Sequence, residues 1–343
     1  MKIAVVGVTG VVGEMILRVL DERGVAVDDF GAFASRERPE PLLWRGRKWP
    51  IEAATSEALR AGGFDAVLFA SSDDASAELA EHAVAGGAIV IDNSSTYRMG
   101  DGVPLVIPEV NPHVVAAHHR IFPVANCTAI VLCVGIAPIA RVAGLRSVRV
   151  ATYQAVSGAG RAGLSALEAE EKAAFGLDEN LESSPFVRQI FRNVIPQVGS
   201  IDHLGDSTEE KKIAEETRKM LGLQHLHVAA TAVRVPVRYA HSAAAFLETE
   251  RDTDPVELGE AIAAAPGVVF HPDGNVTPRD VEGQDLVHVS RLRAEGDSKR
   301  CFQLWVVGDQ VRKGAATNAV QILELLIERG HIGRAEVHAG NQH

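Results

Sequence analysis

The chain is 343 residues long, which is more than one hydrophobic core usually supports, so its length predicts two domains. Hydrophobic residues make up 46% of it and charged residues 23%, the balance of a folded globular protein rather than a disordered or collagenous one. The formal net charge of -11 excludes a general attraction to nucleic acid or anionic lipid, because both need a basic surface. Any anionic ligand must therefore be bound by local cations.

The cysteines and the apolar runs restrict the cellular context. Cys127, Cys133 and Cys301 are too few and too irregularly spaced for a disulfide framework or a zinc site, and no HExxH motif predicts a metal. The N-terminus has no signal-peptide pattern, and the longest apolar run, residues 129–140, is too short to span a bilayer. We therefore expect a cytoplasmic protein with no metal and no membrane or nucleic-acid partner.

The first part of the chain alternates short apolar runs with helical stretches, a pattern typical of a parallel sheet covered by helices. It predicts strands at residues 3–6, 30–34, 66–70, 88–91 and 121–124, and helices at residues 11–22 and 75–85. From residue 148 the predicted strands lengthen, as at 149–156 and 301–307, and charged helices such as 209–221 lie between them. This second part is typical of an α+β domain.

The last periodic segment, residues 315–329, has apolar residues at helical spacing and precedes Gly330, which suits the end of a helix. We expect this helix to pack back on the first domain. The chain contains no internal repeat and no long flexible linker, which predicts a tight interface between the two domains.

A glycine-rich turn stands between the first predicted strand and the first predicted helix, Gly7-Val8-Thr9-Gly10-Val11-Val12-Gly13. Glycines here allow the backbone to approach a pyrophosphate, whose charge is stabilised by the helix N-terminus. The spacing GxxGxxG is one residue longer in its first gap than the usual dinucleotide fingerprint, so an ordinary glycine-rich turn is the alternative. The position at the start of a βαβ unit favours dinucleotide binding.

The end of the second predicted strand distinguishes NAD from NADP. An acid is expected there when a protein binds the ribose 2′-hydroxyl of NAD. This chain has Ser35, Arg36 and Arg38 at that place, and guanidinium groups suit a 2′-phosphate better. The pattern predicts NADP, although Glu37 lies between the arginines and a solvated basic loop is the alternative.

Cys127 is the candidate nucleophile, because it follows the predicted strand 121–124 and precedes a helix-like run at residues 129–136. The positive end of a helix dipole is expected to lower the pKa of the thiol. The alternative is a small buried apolar residue, the interpretation we keep for Cys133 and Cys301. A general base is also needed for an aldehyde adduct, and His241 is the candidate because neutral imidazole suits that task near pH 7.

These residues belong to a series of short motifs that resembles the bacterial aspartate-semialdehyde dehydrogenases, over about residues 2–328. The loop after the second strand differs from the family's pattern. The motifs, in chain order, are the glycine-rich turn, Asn93-Ser94-Ser95-Thr96-Tyr97-Arg98, Pro108-Glu109-Val110-Asn111, Asn126-Cys127-Thr128, Gln154-Ala155-Val156-Ser157-Gly158-Ala159-Gly160, Glu209-Glu210-Lys211-Lys212, Arg234-Val235-Pro236 with His241, and Arg312-Lys313-Gly314-Ala315 with Asn318.

The resemblance implies a role for each candidate residue. Cys127 would attack the aldehyde, His241 would act as acid and base, and Gln154 would orient the thiol adduct. Substrate binding would involve Arg234 for the carboxylate, Glu209 for the amine, and Lys212 and Arg98 for inorganic phosphate, with Asn126 nearby. Cofactor contacts would come from Gly7, Thr9, Gly10, Val11, Val12, Gly13, Ser35, Arg36, Arg38, Ser71, Ser157, Gly158, Gly160 and Asn318.

The spacing of Glu209 and Lys212 puts both on one face of a helix. From the residues alone, a surface ion pair is the alternative to a binding role for these two.

The resemblance also implies the fold and the reaction. The fold class is α/β, with a Rossmann-like NADP-binding domain at residues 1–126, completed by a C-terminal helix at 315–343, and an α+β catalytic and dimerisation domain at 127–314. The implied homodimer would reduce 4-phospho-L-aspartate to L-aspartate 4-semialdehyde through a cysteine thioester, releasing phosphate, on the pathway to lysine, diaminopimelate, methionine and threonine. The alternatives are N-acetyl-γ-glutamyl-phosphate reductase and a catalytically silent dinucleotide-binding homologue.

Overall fold

The computed structural model describes residues 1–177 and 184–332. The first sheet is built from Lys2–Val6 (β1), Asp29–Ala34 (β2), Arg38–Trp44 (β3), Arg47–Ala53 (β4), Ala66–Phe69 (β5), Ile89–Asp92 (β6) and Ile121–Pro123 (β7). Its strand order is β3-β4-β2-β1-β5-β6-β7, and every pair is parallel except β3 with β4. Helices Val11–Glu22 (α1), Ser56–Ala61 (α2) and Asp73–Ala85 (α3) connect these strands.

The predicted strands and helices of this part are confirmed, with small shifts at their ends. Helix α3 begins at Asp73 rather than at residue 75, because the Ser72 hydroxyl caps it by accepting from the Ala75 N–H. The sequence patterns do not predict β3 and β4, since charged residues and prolines interrupt the apolar alternation of this edge hairpin. The expectation that Arg38 lies in a loop is wrong, because Arg38 begins β3.

The chain passes from the first sheet to the second through helix Cys127–Ala143 (α4). Most of α4 is buried, and its side chains belong to a core cluster that includes residues of both sheets. The predicted helix-like run at 129–136 therefore extends in both directions, beginning at the cysteine and continuing through Pro138. The nucleophile candidate is thus fixed to the central core of the molecule.

The second sheet is built from Ser147–Gln154 (β8), His227–Arg234 (β9), His241–Glu248 (β10), Val268–His271 (β11), Val287–Ala294 (β12) and Cys301–Gly308 (β13), in the order β11-β12-β13-β10-β8-β9. Helices Gly160–Ala174 (α5), Thr208–Leu221 (α6), Pro255–Ala263 (α7) and Pro278–Val281 (α8) accompany it. The predicted charged helix begins one residue early, at Thr208, because Ser207 and Glu210 form a capping box.

The last described helix differs from the prediction at both ends. Residues Arg312–Ala316 form a π-helix, so the α-helix itself is Thr317–Glu328 (α9) rather than a helix from residue 315. It ends there because Gly330 adopts a positive φ of 69° and its N–H bonds to the Ile327 carbonyl. Helix α9 contacts α1 and β6 of the first sheet, and residues 333–343 of the predicted helix lie outside the described residues.

A buried ion pair connects the π-helix to the first part of the chain. The Lys313 ammonium is fully buried and lies 2.7 Å from a Glu109 carboxylate oxygen, and it also bonds to the side-chain oxygens of Gln321 and Asn318. Such a charge is stable only because its donors are satisfied. Within residues 1–177 and 184–332, none of the helices has the length and apolar character needed to cross a membrane.

Candidate active site

A cavity of about 320 Å³ lies between the first sheet, the start of α4 and the second sheet. The structure brings together in it all of the residues predicted for catalysis and for substrate binding. They are Cys127, His241, Gln154, Arg234, Glu209, Lys212, Arg98 and Asn126. Because these residues come from distant parts of the chain, the shared cavity is the first structural support for a common role.

Cys127 is the first residue of α4, and Asn126 is its N-cap. The Asn126 side-chain oxygen accepts from the N–H groups of Thr128 and Ala129, each at 3.0 Å. On its other side the cysteine packs against the π-helix, where a Cβ on Gly314 would lie only 2.8 Å from the Cys127 Cβ. A glycine is therefore required at 314 to leave room for the nucleophile.

The expectation of a lowered thiol pKa is wrong. The pKa of Cys127 is raised to about 11, first by desolvation and second by the nearby Glu209 carboxylate. Arg98 and Arg234 act in the opposite direction but do not cancel these effects. The cysteine does begin the helix as predicted, yet burial and a neighbouring negative charge outweigh the helix dipole.

Glu209 is the centre of the polar network in the cavity. Both of its carboxylate oxygens accept from the Asn126 side-chain amide at 3.0 Å, and one accepts from the Gln154 amide at 2.8 Å. The Thr128 hydroxyl donates to it at 3.3 Å. In the described part of the chain Lys212 forms no ion pair with Glu209, so the surface ion pair that was the alternative for these two residues is not observed.

His241 begins β10 and is 1% exposed. Its Nδ1 accepts from the Ala155 N–H at 3.0 Å, so the proton of the neutral ring belongs on Nε2. Nε2 is buried and has no hydrogen-bond partner among the described residues, and the residue lines the cavity. Desolvation, aided by the charge of Arg234, lowers the pKa of His241 well below its usual value, which keeps the ring neutral at pH 7.

Arg234 ends β9, and its Nη1 donates to the Ala155 carbonyl at 2.6 Å. Its Nη2 makes no hydrogen bond within the described residues, and it is therefore available to a carboxylate. A Cβ on Gly158 would lie 2.7 Å from Arg234 Nη1 and 3.1 Å from His241 Nε2. The glycine predicted to contact the cofactor thus allows these two side chains to converge.

The cations Arg98 and Lys212 line the same cavity. Arg98 is nearly buried, with Nε bonded to the Val124 carbonyl at 2.8 Å and Nη2 bonded to the Asn93 carbonyl at 2.8 Å. Lys212 lies one helical turn after Glu209 and forms no ion pair among the described residues. Two local cations are therefore present in an acidic protein, as an anionic substrate group requires.

A second cavity of about 400 Å³ lies along the glycine-rich turn, where Gly7, Thr9, Gly10, Ser35 and Ser71 line it. Ser71 also lines the first cavity, and its buried hydroxyl has no hydrogen-bond partner among the described residues. The two cavities are thus adjacent, and Val12 of α1 faces the first of them. An unpartnered buried hydroxyl at their junction is a natural contact for a polar ligand.

Two positions of the turn require glycine for steric reasons. Gly7 has a positive φ of 86°, and a Cβ there would lie 2.3 Å from the Ala70 carbonyl oxygen. A Cβ on Gly13 would lie 2.2 Å from the Gly7 carbonyl oxygen, so α1 can approach the turn only with glycine at this position. The close approach of strand, turn and helix fits a dinucleotide pyrophosphate at the N-terminus of α1.

The other predicted cofactor residues have different positions. Ser157 lines the first cavity, whereas Gly160 begins α5 with a φ of 68° and lines neither cavity. Five further residues that were predicted to contact the cofactor also line neither cavity: Val11, Gly13, Arg36, Arg38 and Asn318.

Asn318 is fully buried and is already engaged in other contacts. Its amide donates to the Val106 carbonyl at 3.0 Å and accepts from Lys313 at 3.1 Å. In this structure Asn318 supports the π-helix, rather than facing the cavities where a cofactor contact was expected.

Two family models match the chain. "Semialdehyde dehydrogenase, NAD binding domain" matches residues 2–118, and "Semialdehyde dehydrogenase, dimerisation domain" matches residues 136–313. The aspartate-semialdehyde dehydrogenase of Aquifex aeolicus (strain VF5) is 40% identical over 338 residues, which cover 96% of this chain and 99% of the relative. The chain belongs to the aspartate-semialdehyde dehydrogenase family. Its α/β fold and its nicotinamide dinucleotide cofactor follow from this membership.

Further relatives agree with this assignment. The Bacillus subtilis (strain 168) aspartate-semialdehyde dehydrogenase is 36% identical, with 95% of this chain and 97% of the relative covered. A crystal structure of Vibrio cholerae aspartate semialdehyde dehydrogenase II complexed with ASA superposes with a TM-score of 0.90 at 35% identity, covering 95% of this chain and 98% of that chain. The resemblance read from the sequence motifs is confirmed.

Sequence reasoning missed several residues that line the first cavity. Gly314 and Ala315 come from the π-helix, and Gln310 precedes it and donates to the Ser157 hydroxyl. The sequence did contain a signal for two of them, because Gly314 and Ala315 stand in one of the motifs on which the resemblance rests.

Among the described residues, no group of three or more His, Cys, Asp or Glu residues is arranged to hold a metal.

The raised pKa of Cys127 makes a testable prediction for the protein without ligands. Below its pKa a thiol gains about tenfold in thiolate per pH unit, so the rate of Cys127 alkylation by iodoacetamide should rise without a plateau up to pH 9. Glu209→Gln should move this rise to lower pH, because it removes a carboxylate charge that raises the pKa. Mass spectrometry of the Cys127 peptide gives the rate.

Glu215→Gln is the matched control for this measurement, because Glu215 is an exposed carboxylate on the same helix and should leave the profile unchanged. A plateau below pH 8.5 in the unsubstituted protein would contradict the prediction.

Proposed function

We propose that the protein catalyses the reversible, NADP-dependent reduction of 4-phospho-L-aspartate to L-aspartate 4-semialdehyde and inorganic phosphate. The observation that supports this proposal best is that Cys127 and His241 lie in one cavity with two carboxylates and three cations, beside the glycine-rich turn. The relatives and the solved structure named above are aspartate-semialdehyde dehydrogenases. Family and site chemistry therefore support the same reaction.

Substrate binding would use the fixed charges of the cavity. The Arg234 guanidinium binds the substrate α-carboxylate, and Glu209 binds its α-ammonium group. Neutralising the Glu209 charge removes one of the causes that raise the pKa of Cys127, so the bound substrate itself favours the thiolate. Arg98 and Lys212 bind the phosphoryl group at the other end of the substrate.

In the acylation step the Cys127 thiolate attacks the acyl carbon of the phosphorylated substrate. The bond to phosphate breaks, the electron pair leaves with inorganic phosphate, and a thioester remains on Cys127. Arg98 and Lys212 stabilise the charge that develops on the leaving group. Gln154, held through its amide by Glu209, lies beside the thioester and orients it.

A reduced nicotinamide dinucleotide, which Gly7, Thr9 and Gly10 of the glycine-rich turn would hold, would supply the hydride that the thioester carbon needs. His241 donates a hydrogen bond from Nε2 to the oxyanion that forms on the substrate, and the Ala155 N–H, which donates to Nδ1, keeps the ring in that tautomer. The oxyanion then re-forms the carbonyl, the carbon–sulfur bond breaks with its electron pair on the Cys127 Sγ, and the aldehyde is released. In the oxidative direction the Cys127 thiolate adds to the aldehyde carbon, and the same Nε2–H stabilises the oxyanion from which hydride would leave.

The same cavity disfavours the two alternatives. N-acetyl-γ-glutamyl phosphate has no free ammonium group, and its amide would leave the Glu209 carboxylate without a cationic partner in a desolvated site. A silent dinucleotide-binding homologue has no need to keep a cysteine, a neutral histidine and local cations in one cavity. We therefore favour the aspartyl substrate and an active enzyme.

We further propose a homodimer assembled through the second sheet, in the cytoplasm and on the pathway to lysine, diaminopimelate, methionine and threonine. The dimerisation-domain match at residues 136–313 supports this assembly. On one face of that sheet Phe246 and Tyr153 are 41% and 37% exposed, and the Tyr153 ring lies 5.3 Å from the Trp305 ring. An exposed aromatic patch of this kind suits contact with a second copy of the chain.

Replacing Cys127 with Ala should abolish turnover in an assay that couples L-aspartate 4-semialdehyde, phosphate and NADP. The fold should persist, because a small side chain is truncated at the cavity wall. Mass spectrometry should find the acyl adduct on the Cys127 peptide of the unsubstituted enzyme. Cys301→Ala is the control that should keep activity, and labelling confined to Cys133 or Cys301 would contradict the assignment.

Replacing Lys212 with Ala should raise the KM for phosphate more than the KM for the aldehyde, because it removes a local cation from an acidic protein. The neighbouring Lys211 pairs with Asp202 on the surface and is the matched control. Equal changes for both substrates, or an unchanged phosphate dependence, would mean that Lys212 does not bind phosphate.

The preference for NADP is tested by the double substitution of Arg36 and Arg38 with Ala. A charge-assisted contact contributes roughly 1.5–3 kcal/mol, so NADP affinity should fall about ten- to a hundredfold while NAD affinity changes little. Arg36 directly follows Ser35, which lines the cavity along the glycine-rich turn, and Arg38 begins β3 two residues after Arg36. Equal loss of both dinucleotides, or equal use of both by the unsubstituted enzyme, would refute this assignment.

A further inference from the structure

One face of α6 carries four charged residues at helical spacing, Glu209, Lys212, Glu216 and Lys219. The first two line the catalytic cavity, whereas Glu216 and Lys219 lie behind it and do not line it. Glu216 is 1% exposed. A carboxylate this deeply buried is stable only if specific partners satisfy it, so its contacts point to its role.

The two oxygens of Glu216 have different partners. Oε1 accepts from Arg98 Nη1 at 3.2 Å, and Oε2 accepts from the backbone N–H of Asn126 at 2.5 Å. Lys219 reinforces the first contact, because its Nζ donates to the backbone carbonyl of Arg98 at 2.7 Å. Neighbouring positions of one helix face therefore hold both the side chain and the backbone of Arg98.

The second contact reaches the nucleophile. Asn126 caps α4 at Cys127, and its side-chain amide donates to Glu209. Fixing the Asn126 backbone therefore fixes both the start of the helix and the orientation of the amide. One buried carboxylate thus connects a cation of the cavity with the residue that precedes the nucleophile, without touching the cavity itself.

We propose that Glu216 is a positioning residue that keeps the Arg98 guanidinium at a fixed separation from Cys127. This inference rests on the proposed function, in which Arg98 binds the phosphate group. Arg98 uses Nε and Nη2 on backbone carbonyls, so Glu216 is the partner that sets the direction of Nη1. The loss of this contact should affect phosphate more than the aldehyde end of the substrate.

Glu216→Gln tests the proposal with little change in shape. An amide has one acceptor oxygen, so it can accept from Arg98 or from Asn126 but must turn a donor toward the other. We expect the KM for phosphate to rise about tenfold and the KM for the aldehyde to change less than about twofold. Glu216→Asp is the second variant; it keeps the charge but is too short to reach both donors, and the same split is expected.

Glu170→Gln is the matched control, because Glu170 is also a buried carboxylate that accepts two backbone N–H groups, from Ile190 and Phe191 at 2.7 Å each. It does not line the catalytic cavity, so its loss should lower thermal stability without changing the ratio of the two KM values. A purely structural role for Glu216 would produce the same result as this control and would overturn the proposal.

A double-mutant cycle with Arg98→Lys tests whether Glu216 acts through Arg98. If it does, Glu216→Gln should have almost no further effect on the phosphate KM in the Arg98→Lys background. Additive effects would overturn the proposal.

Thermal shift on adding inorganic phosphate gives a readout that needs no turnover. Phosphate should stabilise the unsubstituted protein, and Glu216→Gln should reduce that shift while Glu170→Gln keeps it. If the unsubstituted enzyme shows the shift but does not oxidise L-aspartate 4-semialdehyde, the proposed function fails. The phosphate-induced shifts of Glu216→Gln and Glu170→Gln then still test whether Glu216 positions Arg98 for phosphate. No phosphate shift in the unsubstituted protein would overturn the positioning role as well.

Discussion

The candidate site depends on how Asn126 caps the N-terminus of α4. Asn126 uses its side-chain oxygen for the N–H groups of the first helical turn, its amide for Glu209 and its backbone N–H for Glu216. The rest of α4 is buried in a core that both sheets share. Cys127 therefore cannot shift without breaking the cap or disturbing the core, and the other groups are arranged around this fixed point.

Charge balance in the cavity follows from that arrangement. Glu209 is held by side-chain amides and a hydroxyl rather than by a cation, so its negative charge acts on the thiol beside it. The histidine is neutral because it is desolvated and lies near Arg234. The thiol and the imidazole are consequently both uncharged at pH 7. A ligand that supplies an ammonium group changes this balance at Glu209.

The sequence predicted those features that depend on local patterns. Alternation of apolar runs indicated the parallel strands, and the glycines marked the turn before α1, where a Cβ on Gly7 or Gly13 would collide with backbone. The hairpin of β3 and β4 was missed because polar residues occupy an edge. The thiol pKa was mispredicted because it depends on burial and on Glu209, a residue far along the chain. The π-helix and the buried position of Asn318 likewise depend on tertiary contacts.

The contact between Gly314 and Cys127 has a consequence for biosynthesis. The first sheet and α4 are formed by residues of the first half of the chain. Gly314, which packs against Cys127, belongs to the π-helix that follows the last strand of the second sheet. Domains generally form in order as the chain leaves the ribosome. The nascent chain therefore carries an incompletely enclosed Cys127 until residue 314 has emerged, and only then does the pocket that controls its thiol exist.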